Sequence, residues 1–277
     1  MPHDEAIAYY SFFEGDVKEY QMEMYGSLYP THYKFKYPKA GEDNSIVSIY
    51  VYELNNERTT PFDIGTDTDI YIPRIKWTAN PDILSVQRMN RLQNKLEILT
   101  GKFTFDRPNN SGVSTKIIYS EEASTYIDVN DNLTYLKDQE NFLWTSEKDG
   151  YNHIYKINIK NGIEIQITKG NWEVTEVYGI NEKNENIFFQ AAKEHPTKRE
   201  VYSINISGEN LNKLSLDSGT NHAEFSKSFD YFLHYNTTAN TPHKISLHRV
   251  GNSEYKILKD NNALKERMKK FNLTNKE

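Results

Sequence analysis

The segment FLWTSEKDGYNHIYKINIKNGIEIQITKGNWEV, residues 142–174, decides the fold class. It begins with an apolar run at 142–144 and continues, after a polar turn, into residues 153–159, where side-chain polarity alternates. Asn161-Gly162 separates this run from a second alternating run at 163–167. Alternation with a period of two gives a strand one apolar and one polar face, and Asn-Gly between two such runs indicates a hairpin. The segment therefore predicts a three-stranded antiparallel meander.

The composition favours sheets along the whole chain. Its 277 residues are 37% hydrophobic, enough for a core, and 20 Tyr and 13 Phe carry much of the apolar surface. Aromatic residues are enriched in strands because they pack well on a pleated surface. We therefore expect an all-β globular protein.

Charge and motif content exclude several classes of function. A net charge of −6 without a basic stripe argues against a nucleic-acid partner. The sequence has no run of about 18 apolar residues, so it predicts no membrane span, and its first ten residues lack a signal-peptide pattern. With no cysteine and no His-Glu-x-x-His motif, the sequence predicts no metal site and no cofactor.

Two sets of similar short segments recur along the second half of the chain. The apolar runs beginning at Phe142, Ile187 and Tyr231 follow one another at intervals of 45 and 44 residues. A second set agrees with this spacing: HIYKINI from residue 153, EVYSINI from 200 and HKISLHR from 243. Repeats of about 40 to 50 residues with four short strands each are typical of β-propeller blades. We predict a partial β-propeller of about four to five blades of four antiparallel strands, with Trp77, Trp144 and Trp172 in the core between blades.

The first half of the chain contributes further strands. Residues 6–13 (AIAYYSFF) predict a buried strand with no partner strand before it, and residues 45–54 and 70–77 predict two more. Residues 20–37 are rich in Tyr and contain two Tyr-Pro steps, which favour extended backbone and predict an extended arm or edge strand. Near the other terminus, residues 263–270 predict a short helix followed by a frayed tail.

Residues 83–99 (ILSVQRMNRLQNKLEIL) give two conflicting signals. Met89, Leu92, Leu96 and Leu99 have the spacing of one helix face, which favours an amphipathic helix. The strand-like flanks and the polar stretch 92–95 favour a hairpin. We predict the hairpin, because a lone helix would interrupt a continuous series of strands.

Several segments together resemble one family. They are YPKAGEDN (37–44), WTANPDILSVQRMNRLQNKLEIL (77–99), YIDVNDNLTYLKD (126–138) with FLWTSEKDGYNHIY (142–155), ITKGNWEV (167–174) and ILKDNNAL (257–264). In this order they resemble the propeller of bacterial dipeptidyl peptidase IV, a prolyl-oligopeptidase-type serine peptidase family. The resemblance covers nearly the whole chain.

This resemblance implies a fold, an activity and partners. The family has an eight-bladed propeller over an α/β-hydrolase domain, and it releases dipeptides with Pro or Ala in second position from free N-termini. The chain 1–277 would supply the last four to five blades, with 263–277 as exit helix and tail toward a hydrolase domain that is absent here. The resemblance further implies that the parent enzyme binds a peptide substrate and forms a homodimer. It also implies a periplasmic or secreted location for the parent protein.

Two segments acquire candidate roles from the resemblance. The first matches the propeller loop that approaches the bound peptide, and its candidate residues are Tyr126, Asp128, Val129 and Asn130. The second is the arm at 20–37, which matches the strand pair through which family members dimerise, with candidate residues Tyr20, Tyr25, Tyr29, Tyr33 and Phe35. Glu121-Glu122 is interpreted as a solvated acidic turn, because the substrate-gripping glutamates of the family lie in an earlier blade.

No catalytic residue is predicted. The sequence lacks the Gly-x-Ser-x-Gly motif in which the hydrolase nucleophile lies, so a complete Ser/Asp/His triad is excluded and the chain alone should be inactive. The first hypothesis is a non-catalytic propeller portion that serves substrate access, recognition and dimerisation. The alternative is a stand-alone propeller that binds a protein or peptide without any enzymatic role.

Overall fold

The computed structural model describes residues 5–104, 113–251, 254–271 and 273–274. Strands dominate this part of the chain, which confirms the predicted all-β class. The chain divides into two compact units, residues 1–129 and 130–277.

The first unit contains two sheets and a separate hairpin. One sheet has three strands in the order β1-β4-β5, β2 and β3 form a two-stranded sheet, and β6 to β9 form a four-stranded antiparallel sheet. The strands are β1 Ala6–Phe13, β2 Glu19–Met24, β3 Thr31–Lys36, β4 Ile46–Glu53, β5 Arg58–Phe62, β6 Ile70–Trp77, β7 Ile83–Asn90, β8 Lys95–Lys102 and β9 Thr115–Glu122.

The hairpin prediction for residues 83–99 is confirmed. Strands β7 and β8 pair antiparallel, and Met89 lies directly opposite Leu96. Both side chains are buried, whereas Leu92 lies in the connecting turn and is exposed. The apparent helical stripe is therefore two cross-strand neighbours, the turn residue Leu92, and Leu99, which is buried opposite Val86 in the same hairpin. Gln93 closes the turn with a positive φ of 55°.

The burial predicted for residues 6–13 is wrong, although the strand itself is confirmed. Among the strands of the described residues, β1 lies at one edge of its sheet and pairs with β4. Ala6 is buried, but Ile7, Phe12 and Phe13 are each more than half exposed. A run that is apolar on both faces predicts a buried strand only where neighbours cover both faces, and in this unit they do not.

The second unit contains three successive four-stranded antiparallel sheets. Their orders are β10-β11-β12-β13, β14-β15-β16-β17 and β18-β19-β20-β21, so each sheet is a simple meander. The strands are β10 Thr134–Tyr135, β11 Asn141–Ser146, β12 His153–Asn158, β13 Glu164–Gln166, β14 Val174–Asn181, β15 Asn186–Ala191, β16 Glu200–Asn205, β17 Asn212–Lys213, β18 Thr220–Phe225, β19 Tyr231–Thr238, β20 Thr241–Arg249 and β21 Glu254–Lys259.

The sequence repeats correspond to these three sheets. Phe142, Ile187 and Tyr231 all lie in the second strand of their sheet, and the repeats from His153, Glu200 and His243 lie in the third. The opening meander at 142–174 is thus β11, β12 and β13, as predicted. Each repeat of 44 or 45 residues is one blade-like sheet.

Aromatic and aliphatic side chains fill the space between neighbouring sheets of the second unit. Leu143 and Ile154 pack with Ile187 and Phe189 of the next sheet. Phe188 points the other way, with its ring centroid 4.8 Å from that of Phe225. The middle sheet, β14 to β17, therefore buries both of its faces against neighbours, which is how stacked blades are stabilised.

The three tryptophans lie in or against these cores. Trp144 is 1% exposed. Trp172 is partly buried and stacks on Phe189 at 6.3 Å, and Trp77 meets Phe103 edge-on at 6.1 Å in the first unit.

The short C-terminal helix is present as predicted. Helix α1 spans Asn262–Met268 and continues as a 3₁₀ turn at Lys269–Phe271. Of the predicted tail, residues 272 and 275–277 lie outside the described residues.

Candidate functional site

The arm predicted at 20–37 is a β-hairpin. Strands β2 and β3 pair along their full lengths, from Glu19 opposite Lys36 to Met24 opposite Thr31. Every residue of both strands except Phe35 is exposed, and the connecting turn presents Tyr25 and Tyr29 at 80% and 78% exposure. Within the described part of the first unit, β2 and β3 join neither of its other sheets. Of the predicted arm residues, Tyr20, Tyr33 and Phe35 are on the strands and Tyr25 and Tyr29 are at the tip.

The base of the arm is anchored to the unit by a small polar network. The backbone amide of Tyr37 donates to the carbonyl of Lys18 at 3.0 Å, and Lys36 Nζ donates to the carbonyl of Val17 at 2.7 Å. Lys18 forms an ion pair with Glu42 at 2.5 Å. The hydrogen bond from Lys18, with that from the Lys39 amide, lowers the pKa of the Glu42 carboxyl. Both partners are at the surface, so this pair positions the base of the arm more than it stabilises the fold.

A groove of about 600 Å³ lies beside the base of the arm. Phe13 and Ile46 supply apolar walls, and half of the remaining lining residues are acidic, namely Asp16, Glu42, Asp43 and Asp69. Arg91 crosses the groove, donating to Asp69 Oδ1 at 2.9 Å and to the carbonyl of Glu42 at 2.8 Å. Sequence reasoning missed this groove, although Glu42 and Asp43 belong to the segment YPKAGEDN that helped to identify the family.

The first part of the predicted substrate-proximal loop is held by the β7–β8 turn. The Tyr126 hydroxyl donates to Gln93 Oε1 at 3.0 Å, and the Ile127 amide donates to the Gln93 carbonyl at 2.9 Å. Ile127 is buried and Asp128 is exposed, while Val129 is partly buried. The loop is thus tied down at Tyr126 and Ile127, which leaves the Asp128 carboxylate facing solvent.

Asn130 begins the second unit and has a structural role there. Its Nδ2 donates to the carbonyl of Thr145 at 3.3 Å, and its Oδ1 accepts from the Asn132 amide at 3.1 Å. Asn132 Nδ2 in turn donates to Thr145 Oγ1 at 3.0 Å. The Asn130 side chain therefore holds the backbone in place where the chain enters the first sheet of this unit. Tyr126 and Asp128 are the more accessible of the four predicted loop residues.

The interpretation of Glu121-Glu122 as a turn is wrong. Both residues belong to β9, where Glu121 lies opposite Leu96 and Glu122 opposite Lys95. Glu121 accepts a hydrogen bond from the Tyr119 hydroxyl at 2.6 Å, and Glu122 forms an ion pair with Lys95 at 2.9 Å. Both carboxylates thus have partners within the sheet: Glu122 is paired across the strands with Lys95, and Glu121 is hydrogen-bonded by Tyr119 of its own strand.

Within residues 5–104, 113–251, 254–271 and 273–274, no group of three or more His, Asp or Glu side chains is arranged to hold a metal ion. Of the helices in the described part of the chain, none has the length and apolar character needed to cross a membrane.

Comparison with known proteins identifies the family. The family model described as the dipeptidyl peptidase IV (DPP IV) N-terminal region matches residues 1–243. The chain belongs to this family. This confirms the resemblance found in the sequence, and the match covers the first unit and residues 130–243 of the second.

The most informative solved structure is the crystal structure of Porphyromonas gingivalis dipeptidyl peptidase 4. It superposes with a TM-score of 0.87 at 38% sequence identity, covering 97% of this chain and 37% of that one. A putative dipeptidyl aminopeptidase IV from Bacteroides ovatus has the same fold, with a TM-score of 0.80 at 22% identity over 94% of this chain and 39% of that one. The sheets described above are therefore a partial β-propeller of the DPP IV type.

Curated relatives agree with this assignment. The dipeptidyl peptidase 4 of Trichophyton equinum is 26% identical over 289 residues, which covers 98% of this chain and 36% of the relative. The Aspergillus flavus protein described as a probable dipeptidyl peptidase 4 is 24% identical over 301 residues, covering 99% of this chain and 37% of the relative. The chain thus spans a little over a third of the length of these relatives.

Proposed function

We propose that this chain is the non-catalytic propeller portion of a dipeptidyl peptidase IV-like serine exopeptidase, which releases X-Pro or X-Ala dipeptides from the N-termini of peptides. The observation that carries the proposal is the family match over residues 1–243, together with the superposition on the P. gingivalis enzyme at 38% identity. The relatives are longer, and an α/β-hydrolase domain in the remaining length would supply the Ser/Asp/His triad. A periplasmic or secreted location belongs to the same proposal.

The part played by the propeller follows from its rigidity. Sheets with buried faces and short connections hold their loops in fixed positions, so they can frame an entrance that admits a thin peptide and excludes a folded protein. The access role therefore rests on the packing of Leu143, Phe188 and Phe189 between sheets, which keeps neighbouring blades from separating.

The loop Tyr126–Asn130 is the proposed point of contact with the peptide. Tyr126 presents an aromatic ring held by Gln93, and Asp128 presents a solvent-facing carboxylate. A carboxylate near an entrance attracts the free ammonium of a peptide N-terminus, which is the group that this class of enzyme selects. Val129 and Asn130 shape the loop, with Asn130 fixed by Thr145.

The arm is the proposed dimerisation element. Its tip and strands expose Tyr20, Tyr25, Tyr29 and Tyr33, with Phe35 partly covered by neighbouring rings. Tyrosine-rich exposed surface is typical of protein interfaces, because the ring is apolar and the hydroxyl can still hydrogen-bond.

One experiment separates the activity from the scaffold. The 277-residue chain and the longer reading frame that contains it are assayed on a Gly-Pro amide. We expect hydrolysis by the longer protein and none above background by this chain. Hydrolysis by the chain alone would contradict the non-catalytic assignment, and a longer protein without a Gly-x-Ser-x-Gly segment or without activity would contradict the proposal as a whole.

A paired substitution in the longer protein tests the loop. Asp128→Asn should raise KM for the Gly-Pro amide severalfold and leave kcat nearly unchanged, because it removes a charge that attracts the substrate without touching the reacting atoms. The matched control is Asp230→Asn, also an exposed carboxylate. Equal KM values for the two variants would remove Asp128 from the recognition surface.

A further inference from the structure

The turn between β12 and β13 contains the one Asn-Gly step of the sequence, Asn161-Gly162. In such a step the backbone nitrogen of the glycine can attack the side-chain carbonyl carbon of the asparagine, because glycine has no Cβ to hinder the approach. The turn favours a glycine at this position, since Gly162 has a φ of +69°. Both residues are exposed, so the reactive pair is in contact with water.

The reaction converts the side-chain amide of Asn161 into an acid without an enzyme. Gly162 N bonds to Asn161 Cγ while the Cγ–Nδ2 bond breaks, and the proton of the Gly162 amide leaves with Nδ2 as ammonia. Water then opens the cyclic imide at either of its two carbonyl carbons. One product is aspartate. The other is isoaspartate, in which the main chain runs through the former side chain and is longer by a CH₂ group.

The folded hairpin occupies both reacting groups with hydrogen bonds. The Gly162 amide, whose nitrogen must lose its proton to attack, donates to the Asn158 carbonyl at 2.9 Å. Asn161 Oδ1 accepts from the Ile163 amide at 3.0 Å. The Asn158 side chain braces the same turn, because its Oδ1 accepts from the amides of Lys160 at 3.0 Å and Asn161 at 3.2 Å. The reaction therefore requires the turn to open.

The strand that closes this hairpin is weakly held. β13 has three residues, and it pairs with β12 at the edge of its sheet. Ile163 and Ile165 are 60% and 43% exposed, so little apolar surface keeps this strand in place. Edge segments with few buried contacts open at a much lower free energy than the core of a domain. The turn can thus open while the rest of the sheet stays folded.

We propose that Asn161 is a deamidation site whose rate is set by local opening of the β12–β13 hairpin, and that the isoaspartate product keeps β13 detached. The longer main chain changes the length of the turn, so the pairs Ile157–Glu164 and Tyr155–Gln166 no longer form in register. The new carboxylate adds one negative charge to a chain of net charge −6. The modification is therefore a covalent record of an opening that is otherwise transient.

The first test compares reaction rates in the folded and unfolded 277-residue chain. The parent, Asn158→Ala and Asn205→Ala are incubated in mildly alkaline buffer and in concentrated urea, and conversion at Asn161 is followed by peptide mass spectrometry. Asn205→Ala is the matched control, since Asn205 is the equivalent residue of the next repeat and braces its own turn by accepting from the Ser207 amide at 2.9 Å.

The parent should react about tenfold more slowly in buffer than in urea, because the open turn is a minor population of the folded chain. Asn158→Ala should accelerate the reaction severalfold in buffer and leave the rate in urea unchanged, whereas Asn205→Ala should match the parent in both. Equal rates in buffer and urea, or equal acceleration by the two variants, overturn control by this hairpin. No conversion of Asn158→Ala in buffer overturns local opening, and no conversion in urea overturns the site itself.

The second test follows the structural consequence of the modification. Ion exchange separates the deamidated chain, and labelling with an isoaspartyl methyltransferase distinguishes isoaspartate from aspartate. Hydrogen exchange at residues 164–166 should be faster in the isoaspartate fraction than in the parent. Asn161→Asp adds the same charge without lengthening the main chain, so it should exchange like the parent. Equally fast exchange in both would assign the effect to charge, and unchanged exchange in the isoaspartate fraction would contradict the detachment of β13.

Discussion

The buried carboxylate of Glu200 accepts a hydrogen bond at 3.0 Å from Nδ2 of Asn221, a residue of the neighbouring sheet that is also fully buried. Ser215 donates to the same oxygen of Glu200 at 2.5 Å. Asn221 Oδ1 accepts from His234 Nε2 at 2.8 Å and from Asn236 Nδ2 at 2.9 Å. The Asn221 amide thus joins strands β16, β18 and β19, and it lies beside other polar contacts between the two sheets, such as the hydrogen bond from the Ala223 amide to the Tyr178 hydroxyl.

Removing this amide should destabilise the second unit strongly. Asn221→Ala leaves a buried carboxylate with fewer donors, which costs about 3 kcal/mol of unfolding free energy. Asn212→Ala is the control, because Asn212 is exposed and its side chain donates to the nearby Asn210 carbonyl, and it should change stability by less than about 0.5 kcal/mol. Urea unfolding of both variants measures the difference.

A double substitution identifies the cause of that loss. With Glu200 replaced by neutral Gln, Asn221→Ala should cost measurably less than in the parent chain, because no buried charge is left unsatisfied. An identical cost in both backgrounds would mean that the amide acts by packing alone.

Gly219 beside this network should be intolerant of any side chain. Its φ is +128°, and an added Cβ would lie 2.4 Å from the Thr237 carbonyl oxygen. Gly219→Ala should therefore cost about 3 kcal/mol through strain and steric overlap. Gly26 at the tip of the arm has nothing within 4 Å of the corresponding position, so Gly26→Ala should be neutral. Equal thermal melting of the two variants would contradict the close approach at Gly219.

Trp144 should be the most costly aromatic residue to truncate in the first sheet of the second unit. It is 1% exposed on the strand β11, directly opposite Tyr155. Trp144→Ala removes a large buried ring and should lower the unfolding free energy by roughly 3–5 kcal/mol. Tyr151→Ala, at an exposed turn position in the same sheet, is the control and should have little effect. Unchanged melting of Trp144→Ala would remove this tryptophan from the core.

The sequence predicted the regular parts of the fold because their signals are local or repetitive. Period-two alternation around Asn161-Gly162 fixes strands β12 and β13, and repeats of 44 and 45 residues fix the correspondence between sheets. The ambiguous segment 83–99 was resolved correctly only by its context, since Met89 and Leu96 are helix-spaced and also opposite each other across a hairpin.

The parts that sequence reasoning missed depend on contacts distant in the chain. The exposure of Phe12 depends on whether another strand covers β1, which no pattern within residues 6–13 can reveal. Glu200 was only the first residue of a repeat, and nothing local indicates that Asn221 will bury its carboxylate. Likewise, Tyr-Pro steps predicted an extended arm, but which side chains share a face of that arm depends on the register between β2 and β3.

Tyr178 should make the stability of the second unit fall at high pH. Burial, with the nearby Glu176 carboxylate as a second cause, raises the pKa of the Tyr178 hydroxyl well above its usual value of 10.0. Above pH 10 the unfolded chain loses this proton while the folded chain keeps it, so the folded state binds more protons and its stability decreases as pH rises. The stabilisation is complete below pH 10 and is lost above it, with a slope of at most about 1.4 kcal/mol per pH unit for this group.

Tyr178→Phe loses the hydrogen bond that the hydroxyl accepts from the Ala223 amide at 3.2 Å, so the variant should be less stable at pH 7. Between pH 10 and 11.5 the difference between the parent chain and the variant should shrink, as measured by urea unfolding at each pH. A difference that stays constant across this range would show that the hydroxyl titrates equally in the folded and unfolded chains.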